Sequence, residues 1–201
     1  MSLSEIAVVL RELGIEVQDD MVASMEEEWK DYPEEVAECL DEGAMLLSAL
    51  GMGNYNYTTW EWTPVSKQVF CFDMEAFDIG NMYKNLFRGV EAISDGELSF
   101  ADVDEACDFE QLSGTRDVKF ILNGEMYQYK AKLESDWYDI YILDYLNDIV
   151  KEKGLKKQLY FMPDCGQGCI VFYADEAWAA EFTSKTGYSL YQRARKAIGI
   201  G

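Results

Sequence analysis

Apolar positions recur at helical spacing in the first 50 residues and then switch to alternating strands and longer amphipathic helices. Ser4 can cap a first helix that stops at Leu13-Gly14, where glycine accepts the left-handed conformation. A second helix is expected from about Asp19, with Met21, Met25 and Trp29 along one face and Glu26, Glu27 and Glu28 turned outward. Pro33 suits the first turn of a third helix, with Val36, Leu40 and Leu47 on one face, ending before Gly51. Residues 51–64, GMGNYNYTTWEWTP, read as an aromatic-rich linker between this helical segment and a main domain over 65–201.

The main domain opens with a strand at Val69-Phe70-Cys71-Phe72. A helix from about Glu75 to Ile93 follows, its stripe traced by Ile79, Met82, Tyr83, Leu86, Phe87, Val90 and Ile93. Leu98-Ser99-Phe100 reads as a short strand. Asn123-Gly124 between two alternating runs signals a two-residue hairpin. A helix is expected from about Tyr138 to Lys153, with Tyr138, Tyr141, Ile142, Tyr145, Leu146 and Ile149 on one face. Strands at 159–162 and 169–173, a helix carrying Trp178 and Phe182, and a short helical tail complete the chain. This order predicts an α+β fold: a helical segment followed by a mainly antiparallel sheet with covering helices. Phe77-Asp78-Ile79 and Tyr138-Asp139-Ile140 open the two central helices alike, which suggests a duplicated strand-helix-strand-strand unit.

Charge narrows the function classes. The chain of 201 residues carries 38 acids against 17 bases, and residues 1–64 alone hold 15 acids and two bases. Such a field repels nucleic acid and anionic membranes and attracts cationic partners, or serves only solubility. There is no histidine, which excludes Ser-His and Cys-His triads and histidine-ligated metals. The five cysteines form no Cys-x-x-Cys pair, and Cys39 and Cys71 read as small buried hydrophobes. With no basic n-region or cleavage site at the start, a reducing cytoplasm is the expected location.

Three segments offer chemistry. The glycine-rich stretch at 164–168 precedes a strand rather than a helix, so it reads as a turn, not a phosphate cradle. Asp102, Asp104, Glu105, Asp108 and Glu110 lack the glycine and spacing of a calcium loop and read as a solvated acidic face or partner surface. Tyr55, Tyr57, Trp60 and Trp62, beside Glu61, are either interface anchors able to hold a cation or a strand packing on the core.

The run from Trp62-x-Pro64-x-Ser66 through Phe72-Asp73, Asn81-Met82-Tyr83, Asp136-Trp137, Leu159-Tyr160, Gly166-Gln167-Gly168 and Trp178-Ala179 to Thr186-Gly187 resembles small, uncharacterised, acidic bacterial cytosolic proteins. These are loosely of the toxin-immunity type. The strand-helix-strand-strand order is also similar in topology to bacterial effector-binding domains of the gyrase-inhibitor type, which hold small molecules between their halves. The expectation is therefore a non-enzymatic binding protein, an immunity protein or inhibitor that neutralises a basic protein partner. Its expected contact residues are Glu26, Glu27, Glu28, Trp29, Tyr55, Tyr57, Trp60 and Trp62. A small-molecule-binding domain and an acidic mimic of DNA are the alternatives. No cofactor, metal, membrane or direct nucleic-acid contact is expected.

Overall fold

The computed structural model describes residues 1–32, 41–59, 61–106, 110–164 and 166–199. Helix α1 spans Leu3–Glu12. Its cap is Ser2, not Ser4: Ser2 Oγ accepts from Glu5 N at 3.3 Å while Glu5 Oε2 accepts from Ser2 N at 2.8 Å. Ser4 has Ala7 three residues on and cannot form this reciprocal box. It donates instead to Glu26 Oε1 at 2.6 Å, tying α1 to α2 (Asp19–Trp29). The expected start of a third helix at Pro33, with Val36 and Leu40, lies outside the described residues. Helix α3 runs over Glu42–Gly51, with Asp41 accepting from Ala44 N at 3.0 Å. Gly51, the last residue of this helix, lets it approach β3 closely, since a Cβ there would sit 2.5 Å from the amide nitrogen of Cys71.

The expected linker is a hairpin. Strands β1 (Asn54–Asn56) and β2 (Glu61–Thr63) pair with Tyr55 opposite Trp62. Strand β3 is Phe70–Asp73. The expected helix from Glu75 begins only at Met82, as α4 (Met82–Ala92), after a single 3₁₀ turn at Ile79–Asn81 capped by Asp78. Residues 74–76 instead extend the sheet pattern. Ala76 N donates to Asp136 O at 2.7 Å and Tyr138 N to Met74 O at 2.9 Å, bonds a helix could not make.

Strand β4 is Phe100–Glu105, later than the strand expected at Leu98, with a bulge between Ala101 and Asp104. The acidic stretch is thus partly a strand, and Glu105 turns inward. Its carboxylate, 5% exposed, accepts from the N–H groups of Tyr83 and Lys84 and pairs with buried Arg116 at 3.3 Å. Burial pushes Glu105 up while those three partners pull it down. Strands β5 (Ser113–Leu122) and β6 (Glu125–Glu134) meet at Asn123-Gly124, whose φ values of +51° and +82° are those of the expected tight turn. Helix α5 covers Tyr141–Glu152, and Tyr141, expected on its buried stripe, is exposed at its first position. Strands β7 (Gln158–Pro163) and β8 (Gly168–Ala174) precede α6 (Glu176–Thr186), which ends at left-handed Gly187, and the short α7 (Ala194–Ala197).

Among the described residues all strand pairs are antiparallel, and two three-stranded sheets run β4-β5-β6 and β7-β8-β3. The chain is an α+β protein. Written as units, β3-α4-β4-β5 and β6-α5-β7-β8 have one order and exchange their first strands: β6 completes the first sheet and β3 the second.

The β3-β8-β7 sheet is buried on both faces, which explains why every residue of β8 is buried. Phe70, Phe72, Leu159, Phe161 and Val171 face a core shared with α4, α5 and the other sheet. Val69, Cys71, Tyr160, Met162, Ile170 and Phe172 face a second core with Leu10, Leu46, Leu47 and Phe182. The N-terminal helices therefore cover a sheet face of the main domain rather than standing apart from it. Among the described residues no helix is long and apolar enough to cross a membrane.

Candidate functional site

Strand β3 is the edge of its sheet, and the β1-β2 hairpin stands beside it. Trp62 Nε1 donates to Met52 O at 2.9 Å, which pins the hairpin to the end of α3. The Trp62 ring meets Phe70 at 5.7 Å, edge to face. Asn56 Oδ1 accepts from Thr58 N and Thr59 N at 2.9 and 3.2 Å, ordering the hairpin tip. Between hairpin, β3 and α4 lies a cavity of about 380 Å³.

Its floor is apolar: Phe70 and Phe72 stack at 5.5 Å, with Leu86 from α4 and the Tyr138 ring against Phe72 at 5.3 Å. Its mouth is aromatic. Tyr55, Tyr57 and Phe77 form a triangle with centroids 4.9 to 6.0 Å apart, all three pairs edge to face. Phe77 and Tyr57 are 68% and 69% exposed, and Met52 beside them is half exposed, so three of the protein's exposed large apolar side chains gather at one opening.

Three acidic residues line that cavity: Asp73, Glu75 and Asp78. No lysine or arginine is among its described lining residues, and none of the three forms an ion pair among the described residues. Asp73 and Glu75 are two residues apart in extended chain, so both side chains leave it on the side of Cys71, opposite Phe70 and Phe72. Asp73 Oδ1 accepts from Glu75 N at 2.9 Å and from Gln167 Nε2 at 2.9 Å, and the same Gln167 nitrogen reaches Glu75 Oε2 at 3.1 Å. Asp78 accepts from Gly80 N and Asn81 Nδ2. Burial of the Tyr55 hydroxyl, with the Asp78 carboxylate nearby, holds that phenol above its usual range. Burial does the same more strongly at Tyr138, whose hydroxyl donates to Met82 O at 3.1 Å. Cys71 is buried between this cavity and the helical core, and burial pushes its thiol up to about 12.

Of the eight expected contact residues, Tyr55, Tyr57 and Trp62 come together here, and Trp60 lies outside the described residues. Glu26, Glu27 and Glu28 are exposed on α2, with Glu27 paired to Lys30 at 2.6 Å. Trp29 packs into the helical core, on the opposite face of the β3-β8-β7 sheet from Trp62. The expected contact set is therefore two separate surfaces. Sequence reasoning missed Asp73, Glu75, Phe77, Asp78 and Tyr138. The alternation of acids at Asp73 and Glu75 directly after a strand was the available signal, hidden by reading Glu75 as helical.

Among the described residues no group of three or more Cys, Asp or Glu side chains is arranged to hold a metal ion. No family model, no curated protein and no solved structure matches this chain.

Proposed function

We propose that this chain is a non-enzymatic binding protein that recognises a basic protein partner at the hairpin cavity, in the manner of an inhibitor or immunity protein. One observation supports the reading: three acidic residues without an ion-pair partner among the described residues line a cavity with exposed aromatic rings, and no lysine or arginine is among its described lining residues. Carboxylates gathered in one cavity repel each other, and a cation entering it relieves that repulsion. A cation within about 6 Å of a ring gains roughly 0.5–2 kcal/mol more, depending on desolvation. Exposed aromatics around a concave centre are also the usual anchors of protein interfaces. The rest of the net charge of −21 steers the partner.

The cavity volume favours a second reading. About 380 Å³ falls within the range of small-molecule sites, so a small organic cation fits the same chemistry.

Fluorescence anisotropy with labelled peptides of equal length tests the proposal. A basic peptide should bind, a neutral one weakly and an acidic one not at all, with affinity falling as salt rises. Equal binding of the neutral and basic peptides would overturn it. Displacement of the basic peptide by a tetraalkylammonium ion at far lower concentration would move the assignment to the small-molecule reading.

A further inference from the structure

We infer that the partner fills the floor of this cavity with the indole of a tryptophan side chain, an inference that rests on the basic-partner reading above. The floor is apolar, because Phe70 and Phe72 leave β3 on one side and Asp73 leaves it on the other. Trp62 stands on the hairpin side, and α4 supplies Asn85 and Leu86 opposite. Two glycines let these walls close. A Cβ at Gly89 would sit 2.4 Å from the Phe70 ring, so α4 rests directly on that ring. A Cβ at Gly53, whose φ is +73°, would sit 2.6 Å from the Trp62 ring, so the base of the hairpin rests on the indole. The space of about 380 Å³ is therefore bounded by packed rings and holds a large flat group.

Asn85 decides which flat group. It lies three residues after Met82, next to Leu86 and four before Gly89, all buried, so it belongs to the packed face of α4. Asparagine is a weak helix former, and an apolar residue would complete that stripe. Its side-chain amide is half-buried, lines the cavity and makes no hydrogen bond among the described residues. A polar group kept at such a place suits a ligand that brings its own hydrogen-bond donor onto an apolar floor. Indole combines the largest flat apolar body of any side chain with one N–H, which Asn85 Oδ1 accepts. A phenyl ring would leave the amide unmet, and a lysine or arginine head would lose its hydration on the floor. Bases that flank the tryptophan meet the acidic residues outside it, and tryptophan is a favoured central anchor of interfaces.

Blocked, dye-labelled nonapeptides with the same flanking lysines and a central tryptophan, 1-naphthylalanine or alanine test this by fluorescence anisotropy. The tryptophan peptide should bind about tenfold or more tightly than the alanine peptide. It should bind about threefold more tightly than the naphthylalanine peptide, which has the shape without the N–H. It should also move the Asn85 side-chain amide resonances of ¹⁵N-labelled protein. Asn85→Ala should abolish the preference for tryptophan over naphthylalanine and leave the alanine peptide's affinity unchanged. Equal affinity for the tryptophan and alanine peptides would overturn the inference and leave the basic-partner reading standing. A naphthylalanine peptide that binds wild-type protein as tightly as the tryptophan peptide would overturn the indole assignment. Failure of all three peptides to bind would overturn both readings. N-acetyltryptophanamide that binds as tightly as the tryptophan peptide would overturn the protein source of the ring in favour of a free aromatic molecule. The wild-type comparisons do not depend on the folding of the Asn85→Ala variant.

Discussion

Tyr55 and Phe77 meet edge to face with ring centroids 4.9 Å apart, one in a hairpin strand and the other in the turn before α4. That contact joins two segments separated by β3 and shapes the mouth of the acidic cavity. Phe77 is nonetheless 68% exposed, so most of its surface gains nothing from folding.

Phe77→Ala should accordingly leave stability within about 1 kcal/mol, since the side chain is mostly exposed and its ring contacts to Tyr55 and Tyr57 are edge-to-face contacts of modest strength. The same variant should weaken binding of a basic peptide about fivefold by removing a face of the cage. Urea unfolding and anisotropy measured on one preparation separate the two effects. A variant that unfolds early yet binds normally would make Phe77 a structural residue only.

Phe87 behaves in the opposite way. It is fully buried, stacked on Phe100 at 4.8 Å and tilted against Phe120 at 4.7 Å, and it joins α4 to the β4-β5-β6 sheet. Phe87→Ala should cost about 3–5 kcal/mol. A denaturation midpoint near that of the wild type would contradict the position of α4 between the two sheets.

Asn123 does three things at once. It sits at φ +51°, accepts from Ser99 N at 2.8 Å and donates to Glu97 O at 2.8 Å. Asn123→Ala should destabilise by about 1–3 kcal/mol, because alanine resists that φ and makes neither bond. Asn123→Gly keeps the backbone conformation and should fall between alanine and wild type in urea midpoint. If glycine matched alanine, the left-handed conformation would carry none of the cost.

Cys71 and Cys169 are buried thiols pushed up by desolvation, Cys71 to about 12 and Cys169 well above its ordinary value. Only the thiolate reacts with alkylating agents, so a raised value means a protonated, inert group across the neutral range. Peptide mapping after iodoacetamide at about pH 8 should find both unmodified in the folded protein and modified in denaturant. Labelling of Cys71 in the folded state would show that the cavity opens as far as β3.

The chain announces its buried elements well. The α4 stripe from Met82 to Val90, the Asn123-Gly124 turn and the unbroken apolar run of β8 each carry a periodicity or a turn requirement that tertiary packing only reinforces. The boundaries were less legible where backbone partners come from far along the chain. Residues 74–76 look helical from their neighbours, yet Asp136 O and Tyr138 N claim them as an extended segment. Glu105 is the same lesson in charge: the acids around it suggest a wet face, and only the pairing of β4 with β5 reveals Arg116 behind it. Half of the candidate site was visible as the Tyr55, Tyr57 and Trp62 cluster. Its acidic half was not, because nothing local says that the turn after β3 folds back beneath a hairpin.

The central claim is that recognition occurs at the cavity and not on the acidic face of α2, and mapping a basic peptide onto ¹⁵N-labelled protein tests it most directly. Wild-type protein is compared with Asp73→Asn/Glu75→Gln and with Glu26→Gln/Glu27→Gln/Glu28→Gln. Shifts should cluster at Tyr55, Tyr57, Trp62, Asp73 and Phe77, vanish in the first variant and persist in the second with a slower association rate. Shifts that instead cluster along α2, survive in the first variant and vanish in the second would contradict the account.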